Sequence, residues 1–148
     1  MPDSPANPDY ATHVRDAVLS MPAAQLFGFD FTRIEPGSTE LMLPYRDALS
    51  FRPGFFQGAI VGSVADFAGA SAAGTLLPKG WFVATVDYDV RIIAPAQGDR
   101  LIARGRVVKP GATLSFAQAD VFVVRDGRET QCAMAFVTTR NFEVKPGA

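Results

Sequence analysis

Hydrophobic and polar positions change their period twice along this chain, and the changes mark its elements. From Gln57 to Leu76 the run QGAIVGSVADFAGASAAGTL is almost wholly small or apolar, and Asp66 is the one ionisable side chain between Arg52 and Lys79. A helix on a protein surface shows a charged face. This stretch has none, so it predicts a helix buried nearly all round. Upstream the period is two. Phe27, Phe29 and Phe31 alternate with Gly28 and Asp30, Pro36-Gly37 marks a turn, and Thr39, Leu41 and Leu43 continue to Pro44. That pattern predicts a two-stranded hairpin. Downstream, Pro78-Lys79-Gly80 stops the helix and four alternating runs follow: TVDYDVRIIAPA, DRLIARGRVVK, TLSFAQADVFVV and RETQCAMAFVTTR. Pro110-Gly111 and Asp126-Gly127 supply turns between the last three. In the first run Val86, Tyr88, Val90 and Ile92 share one face, with Asp87, Asp89 and Arg91 on the other.

The flanking segments are shorter. Residues 1–8 hold three prolines and read as a loose lead-in. Asp9 to Ser20 predicts a short helix, with Asp9 as its cap and Val14, Ala17 and Val18 at helical spacing. Pro22 ends that helix or opens a second turn. Arg46 to Gly54 is an irregular approach to the central helix, and Phe55 and Phe56 stand as apolar anchors just before it. Two strands, a buried helix and four strands predict an α+β fold: an antiparallel curved sheet of about six strands on one long central helix. The expected organisation is a lead-in with a short helix over residues 1–25 and a single domain over residues 26–148.

Composition narrows the function. With 148 residues and 48% hydrophobic side chains, the chain has material for one core. A formal net charge of −1 gives no global attraction to nucleic acid or an anionic membrane. The N-terminal MPDSPANPDYATH lacks the basic and apolar regions of a signal peptide. Gln57, Asp66 and the many glycines make the central helix a poor membrane span. Cys132 is the single cysteine, so no internal disulfide forms, which fits a reducing cytoplasm. His13 is the single histidine, so neither a zinc site nor a histidine-based triad is easily built. His13 is expected at the surface, and Cys132, alternating with Met134 and Phe136, in the core.

Asp66 is the first candidate for chemistry. A buried carboxylate costs several kcal/mol in desolvation unless paired, and no basic residue lies within a helical turn of it. Ala59, Gly62, Ser63, Gly69, Ala70 and Ala73 surround it at helical spacing, while Ile60, Val64 and Phe67 lie opposite. The small face therefore meets something closely, either a partner helix or a ligand. The plainer reading is a buried Asp satisfied by Ser63, Thr85 or backbone. Gly58 stands at the helix N-terminus, where N–H groups are unpaired and the helix dipole favours negative charge. Gln57 offers a further donor, or merely caps the helix. Arg104, Arg106 and Lys109 are candidates for phosphate contacts, or are simply solvated. Phe51, Phe55, Phe56 and Phe82 form an aromatic set that lines a ligand pocket, or closes the core at the helix entry.

The order of elements around an uncharged helix resembles the hotdog fold. Within it the chain is similar to the PaaI-type acyl-CoA thioesterases of the 4-hydroxybenzoyl-CoA thioesterase superfamily, over roughly Leu26 to Asn141. The resemblance is carried by GFFQGAIVGSVAD, TVDYDVRIIAPAQGDRLIARGRV and VKPGATLSFAQADV. Family members usually show a glycine, two residues, His-Gly-Gly, and an Asp about two helical turns on. Here those positions are Gly54, Gln57-Gly58-Ala59 and Asp66, with Thr85 at the usual Ser or Thr before the alternating strand. Gln57 replaces the histidine, and Phe51 falls where an asparagine often stands.

The resemblance implies hydrolysis of an aryl- or medium-chain acyl-CoA in the cytoplasm, without cofactor or metal. In that implied site Asp66 is general base or nucleophile, Gly58 N–H polarises the thioester carbonyl, Gln57 adds a donor, and Thr85 orients water or the carboxylate. Substrate would lie against Phe51, Phe55, Phe56 and Phe82, with coenzyme A near Arg104 and Arg106. The site would form between two protomers, making a homodimer the minimum unit and a homotetramer the expected assembly, with no nucleic acid or membrane partner. Two other readings share the fold. Acyl dehydratases and hydratases use a histidine beside the carboxylate; this chain is expected to have no histidine near the helix, which argues against them. A non-catalytic acyl-CoA binder fits the replacements at Gln57 and Phe51.

Overall fold

The computed structural model describes residues 5–147; the first four residues of the expected lead-in lie outside them. In chain order the elements are α1 (Tyr10–Leu19), α2 (Pro22–Phe27), β1 (Asp30–Glu35), β2 (Ser38–Pro44), a 3₁₀ turn (Asp47–Leu49), β3 (Ser50–Arg52), β4 (Phe55–Phe56), α3 (Gly58–Gly74), β5 (Trp81–Ile92), β6 (Arg100–Lys109), β7 (Leu114–Arg125) and β8 (Arg128–Glu143). Six strands make one antiparallel sheet in the order β1-β2-β6-β7-β8-β5, and β3 and β4 pair separately. Helix α3 touches β2, β6, β7, β8 and β5. Five strands at ~4.8 Å spacing are wider than a helix about 10 Å across, so the sheet must curl round α3 to reach it.

Small residues allow that embrace. The inward rows of the central strands carry Ala103, Ala117, Ala119, Ala133 and Ala135, all buried. At Gly105 on β6 the two backbones nearly touch: a Cβ there would sit 2.1 Å from the Ala68 carbonyl oxygen. At Gly69 on α3 a Cβ would meet Val137 Cγ2 at 2.8 Å. Thr39 Oγ1 donates to that same Ala68 carbonyl at 2.8 Å, and Thr75 Oγ1 accepts from Gly37 N–H at 2.7 Å, fastening the β1–β2 hairpin along α3. Two glycines of the small face of α3 thus meet the sheet, Gly69 against Val137 and Gly62 against Val90 and Tyr88, while Ala70 of the same face lines a cavity. Its other side carries Val64, fully buried, and Phe67, whose ring lies 4.7 Å from Phe29 and 6.3 Å from Phe27.

Several boundaries differ from the expectation. Phe27 is not a strand residue: Pro22 opens α2, Phe27 closes it, and Gly28 caps it at φ +86°, so the alternation of phenylalanines straddles a helix end. Asp9 makes no capping bond; Asn7 Oδ1 takes the Asp9 N–H instead, at 3.0 Å. Helix α1 is not peripheral, because Val14 and Val18 are buried in the same core as Val61, Val64 and Ala65. Strand β5 begins at Trp81, and a bulge between Thr85 and Asp87 displaces Val86 from the row of Tyr88 and Val90. Being at the sheet edge, β5 leaves Val86, Tyr88 and Ile92 exposed. Cys132 is buried as expected, and burial pushes its thiol up to about 11.

Candidate active site

Asp66 projects from the middle of α3 toward the start of β5. Of its expected partners, Ser63 turns away and donates to the Ala59 carbonyl at 2.7 Å. Thr85 is the partner: its Oγ1 donates to Asp66 Oδ1 at 2.7 Å. Asp66 Oδ2 has no hydrogen bond among the described residues and is left for chemistry. Burial raises the Asp66 carboxyl above the ordinary carboxylate range, and the Thr85 bond opposes that without cancelling it. A half-buried carboxylate that is oriented on one oxygen and free on the other suits a base or a nucleophile.

The carboxylate opens on a cavity of about 340 Å³. Its walls are His13, Val14, Ala17 and Val18 of α1, Phe67, Ala70, Ser71 and Gly74 of α3, and Trp81 to Thr85 of β5. The lining is mostly apolar, as an acyl pocket requires. Among the expected aromatic residues only Phe82 belongs to it. Phe56 is buried in the core with its ring edge-on to Tyr45, away from this cavity's lining. Phe51 and Phe55 lie together before the N-terminus of α3, their rings 5.7 Å apart.

His13 corrects the surface expectation. Its Nε2 bonds to the Trp81 carbonyl at 3.1 Å and its ring lies 4.7 Å from Phe82, so it forms a wall of the Asp66 cavity. The signal was available: His13 lies four residues before Ala17, on the helix face that Val14 and Val18 bury. Trp81 and Ser71 were not singled out, because nothing in their own neighbourhood of sequence points at the cavity.

At the other end of the helix, Gln57 caps α3 by accepting the Ala59 N–H on its amide oxygen, and its backbone carbonyl accepts from Ile60 and Val61. Gly58 N–H therefore has no acceptor among the described residues, and the side where its Cβ would stand is open. Gly58 and Asp66 are eight residues apart on one helix, roughly 12 Å along the axis. One thioester carbonyl cannot touch both groups within a single chain.

Arg104 and Arg106 do not join this site. They project from the outer face of β6, away from α3. Arg104 is held by Glu40 at 2.7 Å and Glu129 at 2.8 Å and stacks on Phe122. Its charge is thus matched inside the sheet, and Arg106 donates to Gln118. Asp89 and Arg91 pair with each other on an exposed stretch, as a solvent face should.

A six-stranded antiparallel sheet curled round one helix, with a lone carboxylate carried inside it, is the hotdog fold. No family model matches the chain, and no curated protein sequence does. Solved structures do. A thioesterase family protein from Silicibacter pomeroyi is 36% identical, with 91% of this chain and 99% of that one covered at a TM-score of 0.88. The chain therefore belongs to the thioesterase family. Two further structures share the fold at lower identity. A thioesterase from Haemophilus influenzae is 16% identical over 89% of this chain and 91% of its own, with a TM-score of 0.78. A putative thioesterase, a phenylacetic acid degradation-related protein from Ralstonia eutropha JMP134, is 23% identical over 88% and 98%, with a TM-score of 0.73.

Proposed function

We propose that this protein is a PaaI-type acyl-CoA thioesterase that acts on an aryl- or medium-chain acyl group. The observation that carries the reading is Asp66, bound by Thr85 on one oxygen and free on the other, in the wall of a mostly apolar cavity. As a base, Asp66 takes a proton from water while the water oxygen adds to the thioester carbonyl carbon. The oxyanion so formed collapses, the C–S bond breaks, and the thiolate leaves with the proton. As a nucleophile, the carboxylate itself adds and expels the thiolate, and water then opens the anhydride. Either path needs a donor at the carbonyl oxygen, and Gly58 N–H at a helix N-terminus supplies one.

The separation of Gly58 from Asp66 supports a homodimer in which each site takes one group from each chain. Strand β5 is the joint we assign. Its twelve residues bond to β8 on one side alone, leaving a long edge with exposed Val86, Tyr88 and Ile92. Such an edge invites pairing. Two β5 edges meeting antiparallel would set the α3 helices side by side in opposite directions, Gly58 of one toward Asp66 of the other. Exposed Met134 and Phe136 on the outer sheet face support a second interface and a tetramer. Among the described residues no helix is long and apolar enough to cross a membrane. A cytoplasmic location is part of the proposal, resting on acyl-CoA as substrate and on Cys132 as a lone thiol.

The test is thiol release from a panel of aryl- and fatty-acyl-CoA esters, with wild type and Asp66→Asn side by side. Hydrolysis by wild type that falls at least 100-fold in the variant supports the proposal. A second reading, an acyl-CoA binder without turnover, is favoured by Gln57 in the place of the family's usual histidine and by Phe51, which offers no polar atom. Titration with a non-hydrolysable acyl-CoA that binds, beside an ester panel that is not cleaved, would select the binder.

A further inference from the structure

Thr139 on β8 carries a buried hydroxyl with nothing to bond. The residue is fully buried, yet its Oγ1 has no hydrogen-bond partner among the described residues. Burying an unpaired hydroxyl is unfavourable, so each such case needs a reason. The strand register supplies one. Thr139 stands directly opposite Thr85 of β5, the residue that holds Asp66, and directly opposite Ser115 of β7. Opposed side chains of an antiparallel pair share a face, with Cβ atoms about 4.5–5.5 Å apart. Three hydroxyls thus form a row across the inner face of the sheet, and the row ends on the Asp66 carboxylate.

The protons can run along that row in one direction only. Thr85 Oγ1 gives its proton to Asp66 Oδ1 and keeps lone pairs with which to accept. Ser115 Oγ already accepts from Gly111 N–H at 3.4 Å and from Asn141 Nδ2 at 3.3 Å, and donates to nothing among the described residues. Thr139, between them, is therefore placed to take the Ser115 proton and give its own to Thr85. A χ1 step about Cα–Cβ re-aims a threonine hydroxyl without moving the backbone. Hydrogen bonds in a chain polarise one another, so a Thr85 hydroxyl that accepts is a stronger donor to Asp66.

We infer that Thr139 is a positioning residue for the proposed hydrolysis: with Asp66 ionised, its hydroxyl turns onto Thr85 Oγ1 and fixes the Thr85 proton on the carboxylate. Thr139 acts through Thr85 and touches no substrate, since Thr85 and Asp66 line the cavity and Thr139 does not. The inference rests on Asp66 being the base or nucleophile of the proposed hydrolase. No other charge competes along the row. His13 is the other titratable group in the cavity wall, and its Nε2 is bound to the Trp81 carbonyl. Tyr88 of β5 faces Gly62, a turn before Asp66, and the inward neighbours Ala117 and Val137 on β7 and β8 are apolar.

The experiment titrates the Asp66 carboxyl by carbon-13 NMR of protein labelled at the aspartate carboxyl, in wild type, Thr139→Val and Thr139→Ser. The Asp66 signal is the one missing from Asp66→Asn. Thr139→Val keeps the side-chain shape without the hydroxyl, and Thr139→Ser keeps the hydroxyl. The Asp66 midpoint should rise by about half a pH unit in Thr139→Val, roughly threefold in its ionisation constant, and hold its wild-type place in Thr139→Ser. With the best ester, kcat should fall about 3- to 10-fold in Thr139→Val at unchanged KM and recover in Thr139→Ser. An unmoved midpoint in Thr139→Val, with a raised melting temperature, marks a hydroxyl that is merely unpaired and overturns the inference. A shift common to both variants comes from packing and overturns it too, as does an undiminished kcat in Thr139→Val. If wild type cleaves no ester, the hydrolase reading fails separately, and the titration alone decides whether Thr139 acts on Asp66.

Discussion

Thr85 Oγ1 and Asp66 Oδ1 lie 2.7 Å apart, joining the first strand after the central helix to the middle of that helix. The bond orients one carboxylate oxygen and leaves the other free. It also favours the ionised form of a group that burial pushes toward the neutral one. Thr85 sits beside the β5 bulge, where the strand departs from regular pairing with β8. The bulged residue is Val86, and Thr85 is the last regularly paired position before it.

Removing that bond should move the pH profile. Hydrolysis by Asp66 requires the carboxylate, so kcat/KM rises with pH through the carboxyl's raised midpoint. In Thr85→Val the opposing influence is gone and the acid limb should shift to still higher pH. The plateau should fall roughly 10- to 100-fold, the size of one hydrogen bond to a charged group. Profiles of both proteins check this; an unmoved limb would detach Thr85 from the titrating group.

Asp66 should oppose folding at neutral pH. Because its folded-state value lies above the ordinary one, its favourable contribution is complete below the ordinary value and is lost as pH rises through the raised one. Asp66→Asn should therefore melt higher than wild type near neutrality, with about 2–4 °C for each kcal/mol relieved in a chain of this length. The gain should vanish below pH 3.8, the ordinary Asp value. Thermal unfolding at several pH values measures it.

Subunit mixing tests the shared site. Gly58 is the first residue of α3, and Gln57 before it has φ −69° and ψ 142°, the conformation proline requires of its predecessor. Gly58→Pro should thus fold, since proline suits the first helical position, while deleting the N–H donor. Its activity should fall about 100- to 1000-fold. Gly58→Pro and Asp66→Asn, each inactive alone, should regain activity when refolded together, because one site of the mixed dimer has both native groups. No recovery in verified heterodimers would place both groups in one chain's site.

Arg104 should matter to stability and not to coenzyme A. Hydrogen bonds from Arg104 hold Glu129 below its ordinary value; at Glu40, burial pushes upward but the Arg104 and Thr32 bonds prevail. Lowered carboxyl values stabilise above the ordinary pH range of Glu, and that help is lost as pH falls through the lowered values. Arg104→Met should lower the melting temperature at neutral pH, less so in acid, and leave KM for acyl-CoA within about 2-fold. A tenfold rise in KM would return Arg104 to the substrate.

Gly105→Ala should break the seat of the helix. The new Cβ would stand 2.1 Å from the Ala68 carbonyl oxygen, a backbone atom that cannot rotate away. A loss of about 3 kcal/mol, or no soluble protein, is expected. Urea unfolding against wild type gives the number.

Sequence alone marked the central helix, the six main strands and the one carboxylate carried inside that helix. A helix with one ionisable group in its length and strands with period two are local patterns, and local physics reads them: burial needs an apolar surface, and a turn needs Pro, Gly or Asp. Asp66, Gly58 and Thr85 were legible as candidates for that reason, together with a resemblance spread over most of the chain. What the tertiary structure decided is who meets whom across the sequence. His13 and Ser71 reach the cavity of Asp66 only because α1 packs on α3 and β5 closes the third side. Phe27 fell in a helix because Gly28 caps it, and Arg104 is paired because Glu40 and Glu129 arrive from other strands. Strand register and helix docking assemble those contacts, and the energy that selects them is shared across the whole core, so no single segment records it.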